Sequence, residues 1–250
     1  MQYGICHLSI VPIRTLPDDS SEMVSQLLYG EHFKVLEHRK KWSRIRVAYD
    51  HCEGWVSNNQ ITLIPEDEFD ILNSSGNQRF SSDIISHVCT EDEMLMPILL
   101  GSMVSKTETL QHFFEGNYIE GANQKSSLID IALLYLKAPY QSGGKTPFGV
   151  DCSGFTQMVY KINGHALKRG AEQQSKQGEA LSFIEESEAG DLAFFDNNEG
   201  IIDHVGIILK DNYIIHAHGH VRIDRIDHTG IFNTQKKQYT HKLRVIKKVI

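Results

Sequence analysis

Two helical segments followed by a run of short β-strands, all between residues 126 and 248, restrict the C-terminal half of this chain to an α+β layout. The first segment, "SSLIDIALLYLKAPY", puts Ser127 and Asp130 at N-cap and N3, a weakened capping box. Its apolar residues recur through Leu128, Ile131, Leu134 and Tyr135, and Pro139 stops it. The second follows the glycine loop "SGGKTPFG". In "GVDCSGFTQMVYKING", residues 149–164, Phe155, Val159 and Ile162 share one helical face and Asn163-Gly164 ends it. From "GDLAFFD" onward the texture is that of strands: "HVGIILK", "YIIHAHG", "VRIDRI" and "HKLRVIKKV".

The N-terminal half has a different rhythm. Residues 9–64 alternate in short apolar stretches broken by Gly30, by Arg39-Lys40-Lys41 and by Asp50 to Gly54. Turn signals about every ten residues favour a small β-barrel over a helical bundle. Residues 66–121 suggest strands around tight glycine turns in "EMLMPILLGSMV" and "HFFEGNYIEG". A second, divergent barrel is expected there, with an extended connector as the alternative. The expected domains are 1–65, 66–124 and 125–250.

A formal net charge of −7 argues against a nucleic-acid partner. The basic cluster of Lys236, Lys237, Arg244, Lys247 and Lys248 reads as a solvated strand and turn. No stretch approaches the roughly 20 apolar residues that span a bilayer, so no membrane partner is expected. "MQYGICHLSIVPIR" has no basic head before an uninterrupted apolar run and does not read as a signal peptide. The four cysteines, Cys6, Cys52, Cys89 and Cys152, show no paired spacing. A reduced, cytoplasmic, monomeric protein is the expectation, periplasmic if a leader has been removed.

Cys152 stands at a helix N-terminus, where unsatisfied amide N–H groups and the positive end of the macrodipole favour thiolate over thiol. A nucleophilic cysteine also needs a base. Among 13 histidines, His204 opens "HVGIIL" and His216 closes "YIIH". If Lys210 to Asn212 form a three-residue loop, Leu209 pairs with Tyr213. His216 then becomes the diagonal neighbour of His204 on the same face, about 7 Å away. His204 can then take the thiol proton while His216 fixes its other ring nitrogen. On the residues alone, Asp151 reads as a helix N-cap.

The motifs "DCSGF", "GDLAFF", "HVGII" and "IIHA", in this order, resemble those of the NlpC/p60 cysteine peptidases, papain-like hydrolases of the bacterial cell wall. "VPIR", "YGEHFKVLE", "KWSRIRV" and "EGWV" similarly resemble a bacterial SH3-type (SH3b) domain. The combination is similar to γ-D-glutamyl-L-diamino acid endopeptidases. The resemblance implies a papain-like domain of helices plus antiparallel sheet after one or two SH3-like barrels. It implies Cys152 as nucleophile, His204 as base, His216 as the orienting residue and, from "PYQSGGK", a Tyr140 hydroxyl near the oxyanion. The implied partner is a stem peptide, L-Ala-γ-D-Glu-diamino acid (diaminopimelate or lysine), with no cofactor. Its free ammonium would meet Asp151 and an acidic residue of the first barrel, matched by Glu22. Tyr49 lies near the position of a contacting tyrosine, and Ser153 would add a polar contact. In "LKRGAEQQ", Gly170-Ala171 follow Arg169 where the family commonly has Asp-Ser or Asp-Ala.

Two other readings stay open. Alternate histidines in "HAHGH", His216, His218 and His220, would share one face of a strand and could ligate a metal. A non-catalytic wall-peptide binding protein is the third; the intact set of Cys152, His204 and His216 argues against it.

Overall fold

The computed structural model describes residues 1–74, 76 and 78–250. It divides into two compact units. The first holds residues 1–122 with two short segments, 142–144 and 161–166. Its strands are β1 (Gln2–Ile5), β2 (Ile10–Arg14), β3 (Met23–Leu28), β4 (His32–His38), β5 (Trp42–Val47), β6 (Glu53–Ser57) and β7 (Thr62–Ile64). They form one antiparallel sheet in the order β3-β2-β6-β5-β4-β1-β7. Period-two alternation is plain in β5, where Ser43, Ile45 and Val47 are buried while Arg44 and Arg46 face water. Val11, Ile13, Leu27, Phe33, Ile45 and Val56 fill the core with no exposed surface.

After this sheet come helix α1 (Glu66–Ser74) and strands β8 (Arg79–Ser81), β9 (Ile85–Cys89), β10 (Leu95–Leu99) and β11 (Tyr118–Glu120). These strands make two separate two-stranded ladders, β9 with β10 and β8 with β11. Val88, Ile98 and Val104 pack with Tyr29 as their own cluster.

The second unit holds residues 123–141, 145–160 and 167–250. It begins with α2 (Ser127–Leu134), the short pair β12 (Lys145–Thr146) and β13 (Gly149–Val150), α3 (Cys152–Ile162) and α4 (Ala171–Gln174). The strands follow: β14 (Glu179–Leu181), β15 (Leu192–Asp196), β16 (Ile202–Ile208), β17 (Tyr213–His218), β18 (His220–Ile226), β19 (Gly230–Asn233) and β20 (Gln238–Lys248). Their order is β14-β20-β15-β16-β17-β18-β19, and β19 also pairs with β20. That last pairing closes six strands into a barrel, with β14 added outside on β20.

The helices refine the sequence reading. In α2 the N-cap is Ser126, and its side chain makes no capping hydrogen bond. The capping box on Ser127 and Asp130 is therefore not formed, because the helix starts one residue earlier than that box requires. Its buried stripe is Leu128, Ile131, Ala132 and Tyr135, while Leu134 is exposed. The spacing i, i+3, i+4, i+7 is that of one helical face. In α3, Phe155, Val159 and Ile162 are fully buried as their spacing predicts, and so are Thr156, Gln157, Met158 and Tyr160. A helix buried on all sides holds its first residue firmly. That residue is Cys152.

Candidate active site

Asp151 is the N-cap of α3: the Gly154 N–H donates to its Oδ1 at 2.6 Å. The same carboxylate accepts Arg169 Nη1 on Oδ1 at 3.0 Å and Nη2 on Oδ2 at 2.6 Å. Arg169 Nη1 also donates to Ser153 Oγ at 3.0 Å. Ser153 is buried and its hydroxyl belongs to this network. Arg169 went unnoticed as a site residue in the sequence. It compensates the negative charge that an ammonium was expected to meet.

The Cys152 thiol donates to the Asp203 carbonyl at 3.7 Å. It opens on a cavity of about 440 Å³ lined by Tyr140, Cys152, Asp203, His204, Ala217, His218, Gly219 and His241. Burial pushes the thiol up to about 12, and Asp151 pushes the same way. N–H groups of Val205 and Ser153 and the Arg169 charge pull it down without overcoming burial. The helix N-terminus therefore does not by itself make a resting thiolate, contrary to the expectation from position alone. Desolvation of the sulfur outweighs it.

Lys210, Asp211 and Asn212 form the three-residue turn between β16 and β17. Asp211 and Asn212 adopt left-handed backbone (φ 59° and 61°), and the Leu209 N–H donates to the Tyr213 carbonyl at 2.8 Å. The ladder pairs Gly206 with His216, Ile207 with Ile215 and Ile208 with Ile214. His204 and His216 thus share a face, with His204 Nε2 and His216 Nδ1 2.8 Å apart. Behind them, His216 Nε2 lies 3.1 Å from Asp224 Oδ2. Arg222 clamps that carboxylate, Nε to Oδ2 at 2.6 Å and Nη2 to Oδ1 at 2.9 Å. Asp224 was missed in the sequence, although "VRIDRI" reads as a strand with Arg222 and Asp224 on one side.

Burial lowers His204 well below the ordinary imidazole value, and the neighbouring His216, His241 and His218 lower it further. Burial also lowers His216, against the pull of Asp224. Both rings are neutral at pH 7, the state a proton acceptor requires. Tyr140 lies at the mouth of the cavity, its main chain fixed by a hydrogen bond from its N–H to the Gly219 carbonyl at 3.0 Å. Burial, Cys152 and Asp151 raise its hydroxyl, which stays a donor. Glu22 and Tyr49 belong to the first unit. Glu22 is exposed beside β3. The Tyr49 hydroxyl donates to the His165 carbonyl at 3.1 Å and its ring carries Lys161 Nζ at 5.2 Å, so its polar end is occupied.

The metal reading changes its members. Gly219 (φ 72°) turns the chain, so His216 and His218 lie on β17 and His220 on β18, paired with His218. Among the described residues, the histidines whose donor atoms come within 4.8 Å of one another are His204, His216 and His241. The rings of His204 and His241 stack at 4.1 Å with only 22° between their planes. Imidazole lone pairs lie in the ring plane, so these two run side by side instead of meeting on one ion. His204 and His216 already share a hydrogen bond. The cluster fits a proton chain better than a metal.

Residues 137–244 match the family model described as "NlpC/P60 family", and residues 13–61 match "Bacterial dipeptidyl-peptidase Sh3 domain". A γ-D-glutamyl-L-lysine dipeptidyl-peptidase of Bacillus subtilis is 36% identical over 220 residues, 77% of this chain and 71% of the relative. A dipeptidyl-peptidase 6 of Lysinibacillus sphaericus is 24% identical over 237 residues, 80% of this chain and 82% of the relative. The crystal structure of an NlpC/P60 family protein from Bacillus cereus superposes with a TM-score of 0.81 at 18% identity, over 99% of each chain. It shows the same fold.

Proposed function

The chain belongs to the NlpC/P60 family, and on that premise we propose that it is a cysteine peptidase acting on peptidoglycan stem peptides, cleaving the bond between γ-D-Glu and the diamino acid in peptides that begin with a free L-Ala. One observation carries the reading: Cys152 and His204 open on one cavity, and His204 is hydrogen-bonded to His216 behind it. The relatives named as γ-D-glutamyl-L-lysine dipeptidyl-peptidases supply the substrate class.

In this mechanism the Cys152 proton passes to His204 as sulfur attacks the γ-glutamyl carbonyl. Since the resting pair is neutral thiol and neutral imidazole, proton transfer accompanies attack. Main-chain N–H groups at the start of α3 and the Tyr140 hydroxyl stabilise the oxyanion. His204 then protonates the departing amine, and water hydrolyses the thioester with His204 as base.

The deciding experiment is mass spectrometry of products from L-Ala-γ-D-Glu-diaminopimelate and L-Ala-γ-D-Glu-Lys, each free and N-acetylated, with wild type and Cys152→Ala. Release of L-Ala-γ-D-Glu by wild type alone, with the acetylated peptides slower by orders of magnitude, is expected. Cleavage of another bond, or an undiminished Cys152→Ala rate, defeats the reading.

A further inference from the structure

We infer that Asp224, which touches neither nucleophile nor base, is a positioning residue that fixes the proton on both His216 and His204, with Arg222 holding it to that task. The inference rests on the peptidase reading above and extends the chain Cys152, His204, His216 by one member.

A neutral imidazole carries one N–H and one lone pair, and which nitrogen holds the hydrogen is set by its partners. Asp224 is buried on β18, diagonal to His216, while Arg222 stands directly opposite His216 in the ladder. Burial alone would raise the Asp224 carboxyl, but hydrogen bonds from His216 and Arg222 outweigh it and hold the group below its usual range. An ionised carboxylate only accepts. His216 Nε2, 3.1 Å from Oδ2, therefore carries the hydrogen, and His216 Nδ1 is left as a lone pair. That lone pair lies 2.8 Å from His204 Nε2, which must then be the N–H of the second ring. His204 Nδ1 is thereby the one nitrogen of the pair free to accept the thiol proton. Reversing His216 would reverse His204 and cancel the base. The charge of Asp224 also stabilises the imidazolium that forms when His204 is protonated.

The charged and titratable groups facing His216 are His204 from β16, His218 from its own strand, Arg222 and Asp224 from β18, and His241 from β20. Asp224 is the anion among them, so its removal makes the pair less basic.

The test uses the full chain with ¹⁵N-labelled imidazoles, in wild type, Asp224→Asn and Asp224→Ala. Nitrogen NMR of wild type should show hydrogen on Nε2 of both His204 and His216. In Asp224→Asn, an amide oxygen at the Oδ2 position still accepts from His216 and Arg222. This variant should therefore keep the tautomer, lose roughly tenfold in kcat, and move the acid limb of kcat/KM to lower pH. Asp224→Ala should lose about a hundredfold in kcat, with KM within threefold, in the range of general acid–base contributions. A residue needed only for packing would lower the melting temperature without moving the acid limb.

Hydrogen on Nδ1 of His216 in wild type overturns the inference, and so does an unmoved acid limb in Asp224→Asn. If Asp224→Ala does not fold, those two measurements decide. Nε2–H tautomers in a wild type that cleaves no stem peptide would uphold the proton placement while sinking the peptidase reading.

Discussion

Gly206 and His216 face each other across the β16–β17 ladder, and a methyl group added to Gly206 would lie 2.9 Å from the His216 Cβ. It would also meet the Ile214 side chain at 2.8 Å. The glycine of "HVGII" is thus a spatial requirement, since its backbone is not left-handed. It leaves room for His216 to reach His204.

Gly206→Ala should consequently damage the site through position alone. Overpacking of this kind costs about 1–3 kcal/mol, and the shifted His216 should cut kcat by tenfold or more with little change in KM. Steady-state kinetics beside thermal melts check this. A variant that melts several degrees lower yet turns over normally would show that the placement of His216 is unimportant.

The neutral resting pair makes a prediction about reactivity. With the thiol pushed up to about 12 and His204 far below its ordinary value, no thiolate–imidazolium pair is populated in the free enzyme at pH 7. Alkylation of Cys152 by iodoacetamide, followed by intact-mass measurement, should accelerate steadily from pH 6 to 9. A rate already flat across neutrality would mean that the ion pair pre-exists.

How much of this was legible beforehand depends on how far each contact reaches along the chain. Helix α3 and the β16–β17 hairpin are local: apolar spacing sets one, and the Lys210–Asn212 turn sets the register of the other. The pairing of His204 with His216 could therefore be read from turn chemistry. His241 could not. It comes from β20, which meets β15 only because the barrel closes, and nothing in "YTHKLRV" signals that long-range pairing. Arg169 was hidden for a similar reason, since its carboxylate partner lies 18 residues earlier. Asp224 sits between these cases. Pairing across Gly219 places it near His216, but only once that glycine is read as a turn.

His241 should leave its mark on acid stability. Burial lowers it to about 3, and burial lowers His204 and His216 as well. With folded-state values below 6.5, the unfolded chain takes up protons first as pH falls. Stability is therefore full above pH 6.5 and declines as pH drops toward the folded-state values, by up to about 1.4 kcal/mol per pH unit for each group. Melts at pH 7.5 and pH 5 should show this loss, and His241→Phe should lessen it. An equal loss in the variant would mean that His241 already titrates normally in the folded protein.

The Asp151–Arg169 pair offers the sharpest electrostatic test, because its two charges act on the thiol in opposite directions and each can be removed by one substitution. Asp151→Asn keeps a good N-cap but removes a negative charge that raises Cys152, while the Arg169 charge that lowers it stays. The balance shifts toward thiolate. Breaking the pair should cost about 3 kcal/mol of stability, yet Cys152 should alkylate faster than in wild type at pH 7.5. Arg169→Met, which removes the charge that lowers Cys152, should alkylate more slowly. Paired alkylation rates and melts separate the two effects. If Asp151→Asn slows alkylation, the carboxylate is not setting the proton affinity of the sulfur.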